Sequence, residues 1–192
     1  MPYSNGPRNV VSCVTDKHST YPQTEKECQR HLQPKTLLRF NALIRGNAMG
    51  SQMSSQRTIV KIGLAVMHDS RLLLVRKKGG RSFILPGGKP EAGEDDRQAL
   101  VREINEELGC AIDPETLVFF GSFSDTAADL QDTTVTVKLY GAKLVGTPAP
   151  RSEIECVTWF APDLDECVTL APSIQNQILP FLRSSGKLAH AN

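Results

Sequence analysis

The chain has 192 residues, enough for one domain with a hydrophobic core and an extension, and its 22 basic and 21 acidic residues leave a net charge of +1. Because no basic block is present, duplex nucleic acid is not expected as a partner. No apolar run approaches the length of a membrane helix, and the N-terminal residues lack the apolar core of a signal peptide. These features predict a cytoplasmic protein without a membrane segment.

The five cysteines, at positions 13, 28, 110, 156 and 167, are odd in number and widely spaced. They form no C-x-x-C pair, so the pattern indicates neither a zinc site nor a disulfide scaffold. We therefore expect reduced thiols.

Residues 1–56 are polar, with scattered Pro, Asn, Ser and Gln and no sustained periodicity. This composition predicts a mostly disordered extension. Met49 and Met53 lie just before the next segment, and either is a candidate first residue of the biological protein. The sequence thus divides into an extension over 1–56, a domain over 57–185 and a short tail over 186–192.

From residue 58 onward, strand-like runs alternate with turns. Ile59–Met67 and Arg71–Arg76 predict a β-hairpin around His68-Asp69-Ser70. Further strands are predicted over 117–124, 133–144 and 156–160, and a final helix over 172–184. Pro180 should kink or interrupt that helix. Strands interspersed with two helices indicate a layered α/β or α+β domain.

The first helix is predicted from residues 88–110, which read GKPEAGEDDRQALVREINEELGC. Asp95 and Gln98 form a D-x-x-Q capping box at its start, and Gly109 is a suitable stop. An apolar stripe recurs at i, i+4 and i+8, and we expect it to pack on a sheet: Leu100, Ile104 and Leu108.

A second face of this helix carries three acidic residues, Glu103, Glu106 and Glu107. Carboxylates within one turn repel each other, and a bound cation would relieve the repulsion. Mg²⁺ and Mn²⁺ prefer carboxylate oxygens, and Mg²⁺ completes its shell with water and substrate phosphates. Upstream, Gly87 and Gly88 allow the backbone to approach such ligands closely. The pattern predicts a site for a divalent metal and a polyphosphate.

This segment resembles the Nudix box, G-x5-E-x7-R-E-U-x-E-E-x-G-U, in which U is a bulky aliphatic residue. All fixed positions match, namely Gly88, Glu94, Arg102, Glu103, Glu106, Glu107 and Gly109. Ile104 fills the first U, and Cys110, the only departure, is small and apolar enough to pack at the last U. The resemblance covers about residues 57–185 and implies an α/β/α sandwich with a mixed β-sheet.

The resemblance also implies metal ligands. Glu103, Glu106 and Glu107 should bind Mg²⁺, for which Mn²⁺ could substitute, together with the backbone carbonyl of Gly87. A further acid from a downstream loop often joins the site in this family. Glu153 is the first choice for that role and Glu155 the second, and a solvated loop acid is an equal alternative.

Roles in catalysis follow from the same resemblance. Arg102 should orient the glutamates through charge-assisted hydrogen bonds. Glu94 should belong to the metal-binding or water-activating network, or brace the loop. The general base varies within the family, and Glu103 and Glu107 are both candidates.

Several basic residues could hold substrate phosphates: Arg76, Lys77, Lys78, Arg81 and Lys89. Arg76 and Lys89 rank first, with Gly88 allowing close approach, although ordinary surface charge explains each lysine or arginine equally well. Four aromatic residues could stack a base, although strand aromatics are more often core: Phe83, Phe123, Tyr140 and Trp159.

The function implied is metal-dependent hydrolysis of a nucleoside diphosphate linked to another group X. Secondary signatures of several Nudix subfamilies are missing, which leaves a MutT-like (deoxy)nucleoside triphosphate or oxidised nucleotide as the expected substrate. Alternatives are a hydrolase of ADP-ribose or another nucleotide conjugate, a non-catalytic nucleotide sensor, and an isoprenoid diphosphate isomerase. Dimers are frequent among related enzymes, so a homodimer is one expectation.

Overall fold

The computed structural model describes residues 12–13, 57–128, 130–165 and 168–188. Apart from Ser12–Cys13, the predicted extension lies outside these residues, as does most of the predicted tail. In the described part of the chain, no helix has both the length and the apolar composition needed to cross a membrane.

One sheet is antiparallel throughout and has the strand order β1-β9-β4-β3. Its strands are β1 (Ser12–Cys13), β3 (Met67–His68), β4 (Arg71–Lys77) and β9 (Ile154–Phe160). β4 and β9 form its centre, and every residue from Leu72 to Arg76 is buried.

A second sheet is mixed and has the order β2-β7-β6. Its strands are β2 (Arg57–Ala65), β6 (Val118–Thr126) and β7 (Thr133–Gly141). β2 runs parallel to β7, and β6 runs antiparallel to it. A short antiparallel pair completes the strands, β5 (Ala111–Ile112) with β8 (Leu144–Val145).

Helix α1 spans Asp96–Leu108 and begins and ends as the sequence predicts. Asp95 accepts from the N–H of Gln98, whose side chain accepts from the N–H of Asp95, so the capping box is complete. Gly109 ends the helix in the left-handed conformation with φ of 66°. A 3-10 turn over Pro114–Thr116 follows.

The C-terminal helix starts at residues 172–173, widens into a π turn over Ile174–Ile178 and continues as α2 over Leu179–Ser184. The interruption predicted at Pro180 therefore takes the form of a wider turn just before the proline. In a continuous α-helix the Pro180 ring would clash with the carbonyl of Asn176. The π turn, in which the Leu179 N–H bonds to the Ile174 carbonyl, avoids this.

Two buried clusters lie on opposite sides of the strands. One joins the apolar stripe of α1 to inward residues of β2 and β4, including Ile62, Leu64 and Val75. The other joins the C-terminal helix to residues such as Leu72, Leu74 and Leu139. The strands thus lie between two helical layers, which confirms the predicted α/β architecture with a mixed sheet.

The predicted continuous hairpin is wrong in one respect, because the first strand divides at Val66. β2 pairs with β7, and only Met67–His68 pairs with β4. The loop after β4 occupies the other side of β2, since the N–H groups of Ile62 and Leu64 donate to the carbonyls of Gly88 and Pro86. This pairing fixes the glycine loop beside β2.

Two cysteines have contrasting states. Cys110 is a free thiol, 2% exposed, and packs in the core as expected for its place at the last U. Cys156 on β9 is disulfide-bonded, so the prediction of reduced thiols is wrong at this position. The spacing of cysteines along a chain does not report which strands fold next to each other, which is why the pattern failed here.

Candidate active site

The glycine loop lies against both β2 and helix α1. Gly87 has φ of 130°, and a Cβ there would lie 2.5 Å from the carbonyl oxygen of Ile62. A Cβ on Gly88 would lie 1.9 Å from a carboxylate oxygen of Glu103. The glycines are therefore required by close packing, and the second one leaves room for a carboxylate that the sequence predicts to be functional.

Glu107 is the most buried of the acidic residues that the structure describes, with 0% of its surface exposed. Its Oε2 accepts a hydrogen bond of 2.8 Å from the Gly87 N–H. Burial is the main reason why the pKa of Glu107 rises to about 7; the nearby charge of Glu103 adds to the effect, and the Gly87 N–H and Lys77 oppose it. Without a cation, this carboxyl group is easily protonated near neutral pH.

Lys77 connects Glu107 to the downstream loop. Its ammonium lies 3.4 Å from Glu107 Oε1 and 2.9 Å from Glu153 Oε1. Burial alone would lower the pKa of Lys77, but the hydrogen bond to Glu153 and the charge of Glu107 outweigh it and raise the pKa. The backbone supports this arrangement, since the Lys78 N–H donates to the Glu153 carbonyl.

The fold brings together three of the predicted metal ligands. Carboxylate oxygens of Glu103, Glu107 and Glu153 all lie within 4.8 Å of one another. We call this set the carboxylate cluster. Glu107 Oε1 is buried, and within the described part of the chain its contact with Lys77 at 3.4 Å is an ion pair without hydrogen-bond geometry. Three clustered carboxylates, one of them buried with a weakly satisfied oxygen, fit a hard divalent cation.

Arg102 holds a second set of acids on the more exposed side of α1. It binds Glu94 through two hydrogen bonds of 2.7 and 2.8 Å, and it donates to the Lys89 carbonyl at 3.2 Å. It also lies 3.2 Å from Glu103 and 3.6 Å from Glu106. We call Arg102, Glu94 and Glu106 the arginine cluster, and Glu103 connects it to the carboxylate cluster.

Pairing sets the charge states in the arginine cluster. The hydrogen bonds from Arg102 lower the pKa of Glu94 to about 2, and the Glu91 N–H contributes. The same pairing raises the pKa of Arg102. Glu94 thus contacts both the Glu91 N–H in the loop and Arg102, and its role in catalysis stays a prediction.

Glu106 stands apart from the other predicted metal ligands. Its side chain is 51% exposed, and it is absent from the group of three that meet within 4.8 Å. Successive residues on an α-helix point about 100° apart, so Glu107 can face the interior while Glu106 faces solvent. The role of Glu106 as a ligand remains a prediction.

A cavity of about 200 Å³ opens next to the carboxylate cluster. It is lined by β2, β7, the glycine loop and the C-terminal helix, and Lys77 and Gly87 form part of its wall. Among its described lining residues none is aromatic, acidic or an amide. The four aromatics considered for stacking lie elsewhere: Phe83 is in the core, Phe123 packs on Phe181, Tyr140 donates to Asp96, and Trp159 packs on His68.

The two basic residues that the sequence ranked first for phosphate binding are not among the described cavity residues. Arg76 is 3% exposed, lies 3.5 Å from Glu155 and stacks over Phe83, and it does not belong to the described cavity wall. Lys89 is exposed beside the loop. Sequence reasoning missed Lys61, which lines the cavity. The available signal was a single charge within the otherwise apolar run of residues 59–67.

Solved structures show the class to which this fold belongs. A NUDIX hydrolase from Nitrosomonas europaea matches with a TM-score of 0.54 and 22% identity, over 68% of this chain and 90% of that chain. A MutT protein from Methanosarcina mazei Go1 matches with a TM-score of 0.56 and 19% identity, over 68% and 97%. At these identities the similarity shows the fold.

Sequence comparison then shows the family. The NUDIX domain model matches residues 58–180, so the chain belongs to the NUDIX domain family. A MutT-like protein from Streptomyces ambofaciens is 30% identical over 101 residues, which are 53% of this chain and 62% of that protein. The match therefore spans less than two thirds of that relative. These findings confirm the Nudix family that residues 88–110 indicate.

Proposed function

We propose that this protein is a divalent-metal-dependent pyrophosphohydrolase that cleaves a nucleoside diphosphate linked to another group. The observation that carries the proposal is the carboxylate cluster, in which three acidic oxygens converge within 4.8 Å. The cavity lies directly beside it, because Lys77 and Gly87 contact Glu107 and also line the cavity. A substrate could thus place its organic group in the cavity and its phosphates at the cluster.

Glu103, Glu107 and Glu153 would hold the metal, with Glu106 and the Gly87 carbonyl as further predicted ligands. A bound Mg²⁺ or Mn²⁺ supplies charge neutralisation for phosphate oxygens and lowers the pKa of a coordinated water. The donor set consists of carboxylate oxygens, which is the set that such hard cations prefer.

The remaining chemistry falls to side chains around this cluster. Glu107 and Glu103 are the candidates for the general base, and Glu107 is the more buried of the two. Arg102 keeps Glu103 in place through the contact at 3.2 Å. Lys77 lines the cavity wall and holds Glu107 and Glu153 through its ion pairs.

For the substrate we favour a (deoxy)nucleoside triphosphate, including oxidised nucleotides. The cavity supports this class because its apolar wall can cover the faces of a base, while the phosphates reach the lysines and carboxylates at its edge. ADP-ribose or another nucleotide conjugate is the alternative within the same chemistry.

The test is phosphate release with Mg²⁺ or Mn²⁺ across a substrate panel. The panel comprises standard and oxidised dNTPs, ADP-ribose, diadenosine polyphosphates, NADH, coenzyme A and nucleotide sugars. We expect strong turnover of at least one nucleotide, lost in the Glu107→Gln variant. Folded wild-type protein that binds a nucleotide tightly but turns over nothing would instead identify a nucleotide sensor.

A further inference from the structure

Lys61 occupies a position where the strand pattern calls for an apolar side chain. On β2 it shares a face with Ile59 and Gly63, and across the parallel pair it lies opposite Val137. All of these neighbours line the cavity. An ammonium group in such a row costs free energy unless an anion binds to it.

The two lysines of the cavity wall differ in their partners. Lys77 is paired with Glu107 and Glu153. Lys61 forms no ion pair or side-chain hydrogen bond with any described residue. Its positive charge is therefore available to a ligand, whereas the charge of Lys77 is largely used within the protein.

The electrostatic surroundings of Lys61 place it at the boundary between cavity and cluster. Burial lowers its pKa, and the positive charges of Lys77 and Lys89 lower it further, while Glu107 and Glu103 act in the opposite direction. An anion bound at Lys61 would relieve the repulsion among three lysines and would lie next to the carboxylate cluster. A phosphate group has the charge and the acceptor oxygens for this role.

We propose that Lys61 is a substrate-binding residue, which holds the phosphate that remains attached to the substrate's organic group while that group lies in the apolar cavity. This inference rests on the proposed function and assigns one contact within it. It implies that a nucleoside monophosphate, which keeps this phosphate, binds through Lys61 even when no metal is present.

The test measures binding to the metal-free protein by calorimetry. The probes are the four deoxynucleoside monophosphates, dAMP, dCMP, dGMP and dTMP, each compared with its deoxynucleoside. For at least one base we expect the monophosphate to bind the wild type about 10- to 100-fold more tightly than the nucleoside, the range of one charge-assisted hydrogen bond. Lys61→Met should lower monophosphate affinity to the nucleoside level and leave nucleoside affinity unchanged.

Matched variants separate this contact from general effects. Lys61→Arg keeps the charge and should retain tighter monophosphate binding. Lys143→Met removes an exposed lysine that is not among the described cavity residues, and it should bind as the wild type does. Should Lys61→Met fail to fold, Lys61→Gln provides the same comparison.

Two results would overturn the inference: equal monophosphate affinity in wild type and Lys61→Met, or no preference of the wild type for any monophosphate over its nucleoside. Failure of the proposed function is a different result, namely no hydrolysis by the wild type with Mg²⁺ or Mn²⁺. With an active wild type, Lys61→Met should raise KM about tenfold or more and change kcat much less.

Discussion

Helix α1 and the loop before it carry acidic residues in two environments that set their charge in opposite ways. In the arginine cluster, Glu94 is held by two hydrogen bonds from Arg102, and its pKa falls to about 2. In the carboxylate cluster, Glu107 is fully buried, and its pKa rises to about 7. The first environment satisfies the negative charge within the protein, and in the second Lys77 and the Gly87 N–H do not offset the cost of burial, so a bound cation would further favour the charged form.

This difference assigns two tasks to different residues of one motif: some carboxylates fix the geometry, and others bind a cation. A carboxylate satisfied by arginine fixes geometry, because its bonds are already made in the free protein. A buried carboxylate whose one oxygen has only a 3.4 Å ion pair can bind a cation, because the cation relieves its cost of burial. Glu103 belongs to the carboxylate cluster and also contacts Arg102. Arg102 therefore helps to fix the position of a proposed metal ligand.

The largest effect should come from neutralising Glu107, the buried carboxylate. Glu107→Gln should reduce kcat about 10²- to 10⁴-fold, because it removes a proposed ligand and candidate base at the buried position. Glu106→Gln, the neighbouring exposed acid, should reduce kcat about tenfold or less. Steady-state kinetics on the best substrate, with circular dichroism to verify folding, measure both. Equal losses in the two variants would remove the distinction between the clusters.

A smaller effect is expected from filling the space between the glycine loop and α1. Gly88→Ala would place a Cβ 1.9 Å from Glu103 Oε1 and displace that carboxylate. We expect Mn²⁺ affinity to fall about 10- to 100-fold, with little change in thermal stability because the displaced atoms end a flexible side chain. Titration monitored by electron paramagnetic resonance measures the affinity.

Gly93→Ala is the matched control for this variant. Gly93 also lies in the loop before α1, with φ of 88°, but a Cβ there meets no atom within 4 Å. It should introduce local backbone strain without changing Mn²⁺ affinity. Loss of affinity in both variants would assign the effect to the loop rather than to Glu103.

The arginine cluster is tested by Arg102→Lys, which keeps the charge and removes the two parallel bonds to Glu94. We expect kcat to fall about tenfold through misplacement of Glu103. In the wild type the lowered pKa of Glu94 contributes stability above its ordinary pKa of 4.5, and this contribution is lost as the pH falls towards 2. The variant lacks that contribution, so its acid unfolding should begin at a higher pH, which circular dichroism can follow. An unchanged acid midpoint would contradict the pairing.

The smallest effect is a proton released when metal binds. Near pH 7 a carboxyl group with a pKa of about 7 is about half protonated, and a cation beside it favours the charged form. Mg²⁺ binding should therefore release about half a proton at pH 7 and almost none at pH 9. Calorimetry in buffers with different ionisation enthalpies measures this number. Release that does not decline with rising pH would show that Glu107 is not its source.

The local features of α1 could be predicted from sequence because they depend on spacing along one helix. The Asp95 capping box, the Gly109 stop and the buried stripe follow from 3.6-residue periodicity and are all present. The sequence also identified Glu103, Glu107 and Glu153 as acids that could meet. It could not show that Glu107 is buried and Glu106 exposed, because that depends on which helix face packs against the strands.

Features that depend on pairing between distant segments were not predictable. The division of the first strand at Val66 reflects competition between β7 and β4 for pairing partners, which local residues do not reveal. Lys61 was missed for the same reason. Its place in the cavity wall depends on Val137 and the C-terminal helix, which are distant from it in sequence and line the same cavity.

The π turn before α2 has a consequence for comparing this protein with its relatives. A π turn is equivalent to one residue inserted into an α-helix. Two residues of this turn, Ile174 and Ile178, line the cavity. A relative whose helix is regular would therefore need a one-residue gap when aligned here. A substitution that changes the specificity of a relative would be placed at the wrong position of the cavity wall if it were transferred by counting residues across this gap. Such transfers should follow superposed coordinates.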